Sequence, residues 1–190
     1  MSVVKIPSVH MHFADIYVAK QFKGTGEPAF STKFAIDPKR KDVVKAIHDA
    51  IKEVAEAKWE DQAENVLKAI FKKGACAFSE DEYVKANGEP QKGFEGMFVL
   101  STRNPAKNPP AVFDRDGSEV LGDNGTVAGG DIVHASVEFW AQDNDFGRRI
   151  NCNLRGVRLV KRGERYGGGS TATSNEFDDL FGDDDADDLV

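Results

Sequence analysis

Cysteine is nearly absent from this chain. Cys76 and Cys152 stand alone, without the paired spacing of a zinc site or a disulfide framework. Each sits among apolar neighbours, so two buried thiols in a reducing compartment are expected. Long hydrophobic runs are missing as well. No segment approaches the roughly 20 apolar residues of a membrane-spanning helix. The N-terminal stretch lacks a basic start followed by an apolar core, so neither a membrane span nor a secretion signal is expected. No glycine-rich run ends in Gly-Lys-Ser/Thr, and no G-x-G-x-x-G follows a strand and opens a helix. Both absences argue against nucleotide-dependent enzymes. Positive charge is in deficit too: 25 Lys and Arg stand against 32 Asp and Glu, a net charge of −7. Taken whole, that balance argues against a polyanionic ligand.

The distribution of charge reverses this reading. Residues 176–190 hold eight carboxylates and no basic residue, so the remainder of the chain carries +1. Between Arg148 and Arg165 there are seven Lys or Arg and one Glu. The length of 190 residues suits one domain with appendages.

The run from Asp131 to Arg165, DIVHASVEFWAQDNDFGRRINCNLRGVRLVKRGER, reads as two strands joined by a polar turn. Val133, Ala135, Val137 and Phe139 alternate with polar residues, and so do Ile150, Cys152 and Leu154. Period-two alternation buries one face and leaves the other polar. Matching the apolar rows sets Phe139 opposite Ile150, Val137 opposite Cys152 and Ala135 opposite Leu154, with Trp140 beside Arg149. Gly156 breaks the phase as a bulge, and Val157 and Leu159 resume the inner row with Arg158 outside. A flat aromatic beside guanidinium groups suits a single nucleic-acid strand, whose bases stack and whose phosphates meet the Arg fork. The alternative is an exposed strand with solvated arginines and a tryptophan at a barrel rim.

In chain order, Ser8 to Val18 reads as a strand, Lys20 to Gly26 as a basic turn, and Phe30 to Ile36 as a second strand. Asp37-Pro38 is expected to cap a helix carrying Val43 or Val44, Ile47, Ile51 and Val54. A second helix with Ala63, Leu67, Ile70 and Phe71 stops at Gly74, so a helical insertion spans about 38–73. Strands are expected at Ala75 to Ser79 and Phe94 to Thr102, with a hairpin turn at Asn87-Gly88. Residues 111–130 read as loop or short strand. Gly167 to Gly169 open a flexible linker over 167–175, and the acidic segment 176–190 reads as disordered by composition.

Other candidate chemistry is weak. His10 and His12 share a strand face but lack a nearby third ligand. Asp114-Arg115-Asp116 resembles part of a two-metal carboxylate cluster, yet Asp114 to Gly117 is also ordinary turn chemistry. Phe30, Phe34, Phe71, Phe78 and Phe139 follow core periodicity, and Trp59 follows its helix pattern. Tyr17, Phe94, Phe98, Trp140 and the turn residue Phe146 are stacking candidates, with core packing as the alternative.

The succession of strand, basic turn, FSTKFAIDP, helical insertion, VHASVEFWAQDNDFGRRINCNLRGVRLVKRGE and acidic end resembles bacteriophage single-stranded DNA-binding proteins along the whole chain. The resemblance implies a mainly β fold with inserted helices: a five-stranded Greek-key oligonucleotide/oligosaccharide-binding (OB) barrel over 1–166, followed by a disordered acidic C-terminal tail. It also implies a non-enzyme, without cofactor or metal, that coats single-stranded DNA in the host bacterial cytoplasm during phage replication and recombination. Its expected DNA contacts are Trp140, Phe146, Arg148, Arg149, Arg155 and Arg158, together with Lys33, Tyr17, Phe94, Phe98, Arg103 and Lys107. Its tail would recruit replication proteins such as a polymerase or helicase through Phe177, Asp178, Asp179, Leu180, Phe181, Asp183, Asp184 and Asp185. No membrane partner is implied, and a homo-oligomer is left open. The chain ends Asp187-Asp188-Leu189-Val190, where the family pattern has a terminal aromatic residue. Two readings from other classes are an acidic-tailed chaperone for basic proteins and a metal-dependent nuclease.

Overall fold

The computed structural model describes residues 1–22 and 24–164. The strands are β1 (Ser2–Phe22), β2 (Thr25–Ile36), β3 (Phe78–Ser79), β4 (Phe98–Pro105), β5 (Ala111–Phe113), β6 (Ile132–Asn144) and β7 (Gly147–Lys161). Two helices, α1 (Lys41–Trp59) and α2 (Ala63–Lys72), lie between β2 and β3. All strands join one sheet in the order β3-β4-β2-β1-β6-β7-β5.

Five strands are long enough to form a barrel: β1, β2, β4, β6 and β7. The fourth of these, β6, returns to lie beside the first, which is the Greek-key order 4-1-2-3. Closure between β4 and β7 uses two devices. Ala77 N donates to Ile150 O at 2.8 Å while Ser101 N donates to Ala77 O, so one extended segment bridges both strands. Farther along, Asn104 clamps Leu154: its Nδ2 donates to Leu154 O and its Oδ1 accepts from Leu154 N, both at 2.8 Å. A buried asparagine is tolerated there because its amide replaces the missing ladder.

The inner rows form the core. Val133, Ala135, Val137 and Phe139 of β6 and Ile150, Cys152, Leu154, Val157 and Leu159 of β7 are all buried, as their alternation predicts. Helix α1 adds Val43, Ile47, Ile51, Val54 and Trp59 to the same cluster. Each fully buried large side chain contributes about 1.5–3 kcal/mol over its exposed state. Phe71 departs from expectation. It is 42% exposed on α2, because Val66 and Ile70 take the inward stripe.

Several boundaries differ from the sequence pattern. β1 starts at Ser2 and runs 21 residues, interrupted by register shifts near Ser8 and Phe13, whose φ values are 48° and 49°. Those irregularities break the alternation that marks a strand. Asp37-Pro38 forms a turn rather than a cap: Asp37 Oδ1 accepts from Lys39 N, and the N-cap is Arg40. The Asn87-Gly88 turn forms as expected, with Lys85 N donating to Glu89 O. Phe94 precedes β4 instead of starting it, and Ala111 to Phe113 form a short strand parallel to β7.

The hairpin register also differs. Phe139 faces Cys152, Val137 faces Leu154 and Ala141 faces Ile150, two residues from the predicted pairing. The reason is the turn. Asp145 and Phe146 form a two-residue loop between Asn144 and Gly147, and Gly147 takes φ 100°, which favours glycine. An offset of two keeps every side chain on its predicted face. The bulge at Gly156 is present: Ser136 pairs with Gly156 while the next residue, Val137, pairs with Leu154. Among the described residues no helix is long and apolar enough to cross a membrane.

Candidate nucleic-acid interface

The closure between β4 and β7 leaves an outward groove of about 780 Å³. Its walls come from the start of β2, from β4, from the bridging segment at Cys76 and Ala77, and from the β6–β7 hairpin. Trp140 lies half-buried in it, and its Nε1 donates to Asn153 Oδ1 at 3.2 Å across the hairpin. That bond fixes the indole while leaving part of its surface to solvent. Trp140 pairs directly with Asn151, not Arg149, yet Arg149 lines the same groove beside Gln142. Arg103 enters from β4, with Nη2 donating to Glu27 O at 3.2 Å.

Other predicted residues lie around this centre. Lys33 projects from β2 and donates from Nζ to Ser101 Oγ at 2.8 Å, and Ser101 lines the groove. Its ammonium also sits 4.8 Å from the Tyr83 ring centroid. Burial holds Lys33 below the ordinary lysine range. Lys107 is exposed in the loop that brings Asn108 to the groove wall. Phe146 is 90% exposed at the hairpin tip. Arg148 at the same tip is paired with Asp143 at 3.1 Å, and that carboxylate also accepts from Trp59 Nε1.

Arg155 and Arg158 share the outer face of the hairpin but flank a different hollow. Arg158 is held by Arg115 O at 2.9 Å. Three aromatic candidates are corrected. Phe94 is fully buried, packed among Ala35, Val99, Tyr83 and Met97 where residues 80–97 cover the sheet, so it presents no face to a base. Phe98 packs edge-on against Phe78, with a centroid distance of 5.9 Å, on the inner row of β4. Tyr17 packs on the core and its hydroxyl donates to Val127 O at 3.1 Å. The tail candidates from Phe177 to Asp185 lie outside the described residues.

Sequence reasoning did not single out Gln142, Asn151 and Asn153, although the alternation turns them outward beside Trp140. It also missed Phe13 and Tyr83, which gather on Phe94 with Phe13 stacked at 6.2 Å. No local signal marks Phe13, because its placement depends on the β1 irregularity. Asp114 and Asp116 serve a turn: Arg115 N donates to Asp114 Oδ1 and Ser118 N to Asp116 Oδ1. Burial raises the Cys76 thiol to about 11 and pushes Cys152 well above its usual range, so both are poor nucleophiles at neutral pH.

Comparisons with known proteins bear on the fold and the family. Protein p50 of Acyrthosiphon pisum secondary endosymbiont phage 1 is 29% identical over 180 residues, covering 93% of each chain. The solved single-stranded DNA-binding protein from bacteriophage Enc34, in complex with ssDNA, matches with a TM-score of 0.64 at 24% identity, over 87% of this chain and 89% of that one. The single-stranded DNA-binding protein gp2.5 encoded by bacteriophage T7 matches at 0.58 and 14% identity, over 91% and 99%. These two likenesses show a shared fold. The family described as Enterobacter phage Enc34, ssDNA-binding protein, matches residues 2–190. The chain belongs to the phage Enc34 ssDNA-binding protein family.

Proposed function

We propose that this protein binds single-stranded DNA without base selectivity, seating the strand in the groove around Trp140. The observation that carries the reading is the partly exposed indole, oriented by Asn153, in a groove that Arg103 and Arg149 also line. A ring can stack on any base and a guanidinium can meet any phosphate, so neither contact selects a sequence. The position supports it as well. OB barrels hold oligonucleotides across their second and third strands, near the loop joining the fourth and fifth. Here those strands are β2 and β4, and that loop is the Asp145–Phe146 turn. Lys33, Lys107, Phe146 and Arg148 extend the contact at its margins.

The acidic segment 176–190 acts on the same groove in this reading. It competes with DNA as a tethered polyanion, and DNA binding frees it to recruit replication proteins through Phe177, Leu180 and Phe181. The protein thereby covers single strands during phage replication and recombination in the host cytoplasm. Gel shift with oligo(dT), with and without EDTA, tests the core of the proposal. The expected result is a retarded, intact oligonucleotide in both conditions, competed equally by other single-stranded sequences. Magnesium-dependent cleavage, or no shift together with capture of basic proteins, would refute it.

A further inference from the structure

A second concave site lies on the same outer face as Trp140. His134 lies six positions before Trp140 on β6, about 20 Å of strand at ~3.3 Å per residue. There the surface opens into a hollow of about 620 Å³. Two irregularities shape it: the register shift of β1 between Ile6 and Val9, and the β7 bulge opposite Ser136. Gly156 is required at that bulge, since a Cβ there would lie 2.8 Å from Ala111 O of β5.

Pro7, Ala111 and Phe113 supply the apolar wall. Lys5, His134, Arg155 and Arg158 form the rim, and no carboxylate among the described residues lines the hollow. His134 Nδ1 accepts from Ser8 N at 3.1 Å, which leaves Nε2–H of the neutral ring as a donor. Arg158 is oriented by Arg115 O, whereas the exposed Arg155 has no ion-pair partner among the described residues. An apolar slot with a cationic rim fits an aromatic group attached to an anion.

We propose that this hollow is a second nucleotide subsite, taking a base against Phe113 and Pro7 while Arg155 and Lys5 hold the adjoining phosphates. The proposal rests on the reading of the Trp140 groove as a single-strand site. Continuity favours DNA over an acidic, aromatic peptide as the occupant. Both hollows lie on the outer face of one hairpin, with Asn153 and Arg155 between them on β7. Glu138 occupies the β6 side of that path, opposite Asn153, so the phosphates follow β7.

Binding of the full-length protein to labelled oligo(dT) of about 4 to about 16 nucleotides, the span of one such barrel, tests the idea. Affinity is expected to rise again once the oligonucleotide reaches the second hollow. Phe113→Leu, which keeps apolar volume, and Arg155→Gln, at an exposed site, should each reduce that gain by about five- to hundredfold. Both should leave the shortest oligonucleotides nearly unaffected, while Trp140→Ala weakens every length. A 5-iodouracil placed at one end of the long oligonucleotide should cross-link to the peptide carrying Phe113. An equal length-dependent gain in wild type and both variants would overturn the subsite while leaving the Trp140 groove standing. Loss of binding at every length in the wild type would sink the underlying reading and the subsite with it. Binding of a synthetic 176–190 peptide that depends on Phe113 and Arg155, with oligonucleotides indifferent to both, would assign the hollow to acidic peptide and refute the proposal.

Discussion

Trp140 and His12 show how differently two ring side chains on outer strand faces can be used. Trp140 keeps part of its ring in solvent and has its Nε1 satisfied by Asn153, so a base can cover it without stranding a polar atom. Replacing it by Ala should therefore cost about 1–3 kcal/mol of oligo(dT) binding, the range for one base–aromatic contact. Fluorescence quenching in a Trp59→Phe background reads this contact directly, since Trp59 is the only other tryptophan. Unchanged affinity in a folded Trp140→Ala protein would return the indole to a packing role. His12 is instead buried against Phe94, with ring centroids 4.6 Å apart, and beneath Gly93, whose added Cβ would lie 2.5 Å from its Cε1. Burial, and secondarily the neighbouring His10, lower its pKa from 6.5 to about 4. The unfolded chain therefore takes the proton first as pH falls. The His12 contribution is complete above about 6.5, declines toward 4 and is lost below it. Melting temperature should fall between pH 7 and about 5 in the wild type and fall less in His12→Phe. Equal falls would show that other groups govern acid lability. Gly93→Ala should destabilise at every pH, because its φ is +87° and the ring beneath it blocks a methyl group.

The β6–β7 hairpin carries most of what the chain discloses in advance. Its alternation was enough to assign the inner row, to turn Trp140 and Arg149 outward and to locate the bulge at Gly156. The register was not legible, because pairings two residues apart bury the same side chains and only the Asp145–Phe146 turn separates them. β1 hid its full length behind the Ser8 and Phe13 irregularities. Phe94 looked like a strand aromatic because the segment that buries it, 80–97, has no periodicity of its own. Closure by Asn104 was equally silent, since a lone asparagine near prolines reads as loop. The arginines of this hairpin should separate by role. Arg149→Ala, which removes an exposed groove cation, should lower the salt slope of single-strand binding by about 0.7 and weaken all sequences alike. Arg158→Ala should do the same and also loosen the 114–118 turn that its guanidinium supports through Arg115 O, seen as faster amide exchange there. A loss confined to particular base sequences would mean that these side chains read bases, contrary to the non-selective model of binding.

At the scale of the whole molecule the charge is split in two. The first 174 residues carry +1 and the remaining segment carries −8, all within 176–190. In the proposed competition such a segment, joined through Gly167 to Gly169, would meet its own barrel at high effective concentration. Its carboxylates can then occupy the cations that phosphates would use. Cutting the chain after Ser174 should tighten single-strand binding, most at low salt, where the Debye length is about 30 Å at 0.01 M. The gain should shrink toward 1 M, where it is about 3 Å. Melting temperature should be unaffected, because the sequence of residues 175–190 has no apolar periodicity to add to a core. Replacing Phe177 and Phe181 by Ala leaves all eight carboxylates in place. That variant should therefore keep the DNA affinity of the full-length protein while losing the capacity to capture replication proteins. The two variants thus separate the electrostatic role from the apolar one. Equal DNA affinity of full-length and truncated protein at low salt would rule out competition and leave the segment as a tether for partners. A Phe177→Ala/Phe181→Ala protein that bound DNA as tightly as the truncated one would show that the aromatic rings, not the carboxylates, hold the segment on the barrel.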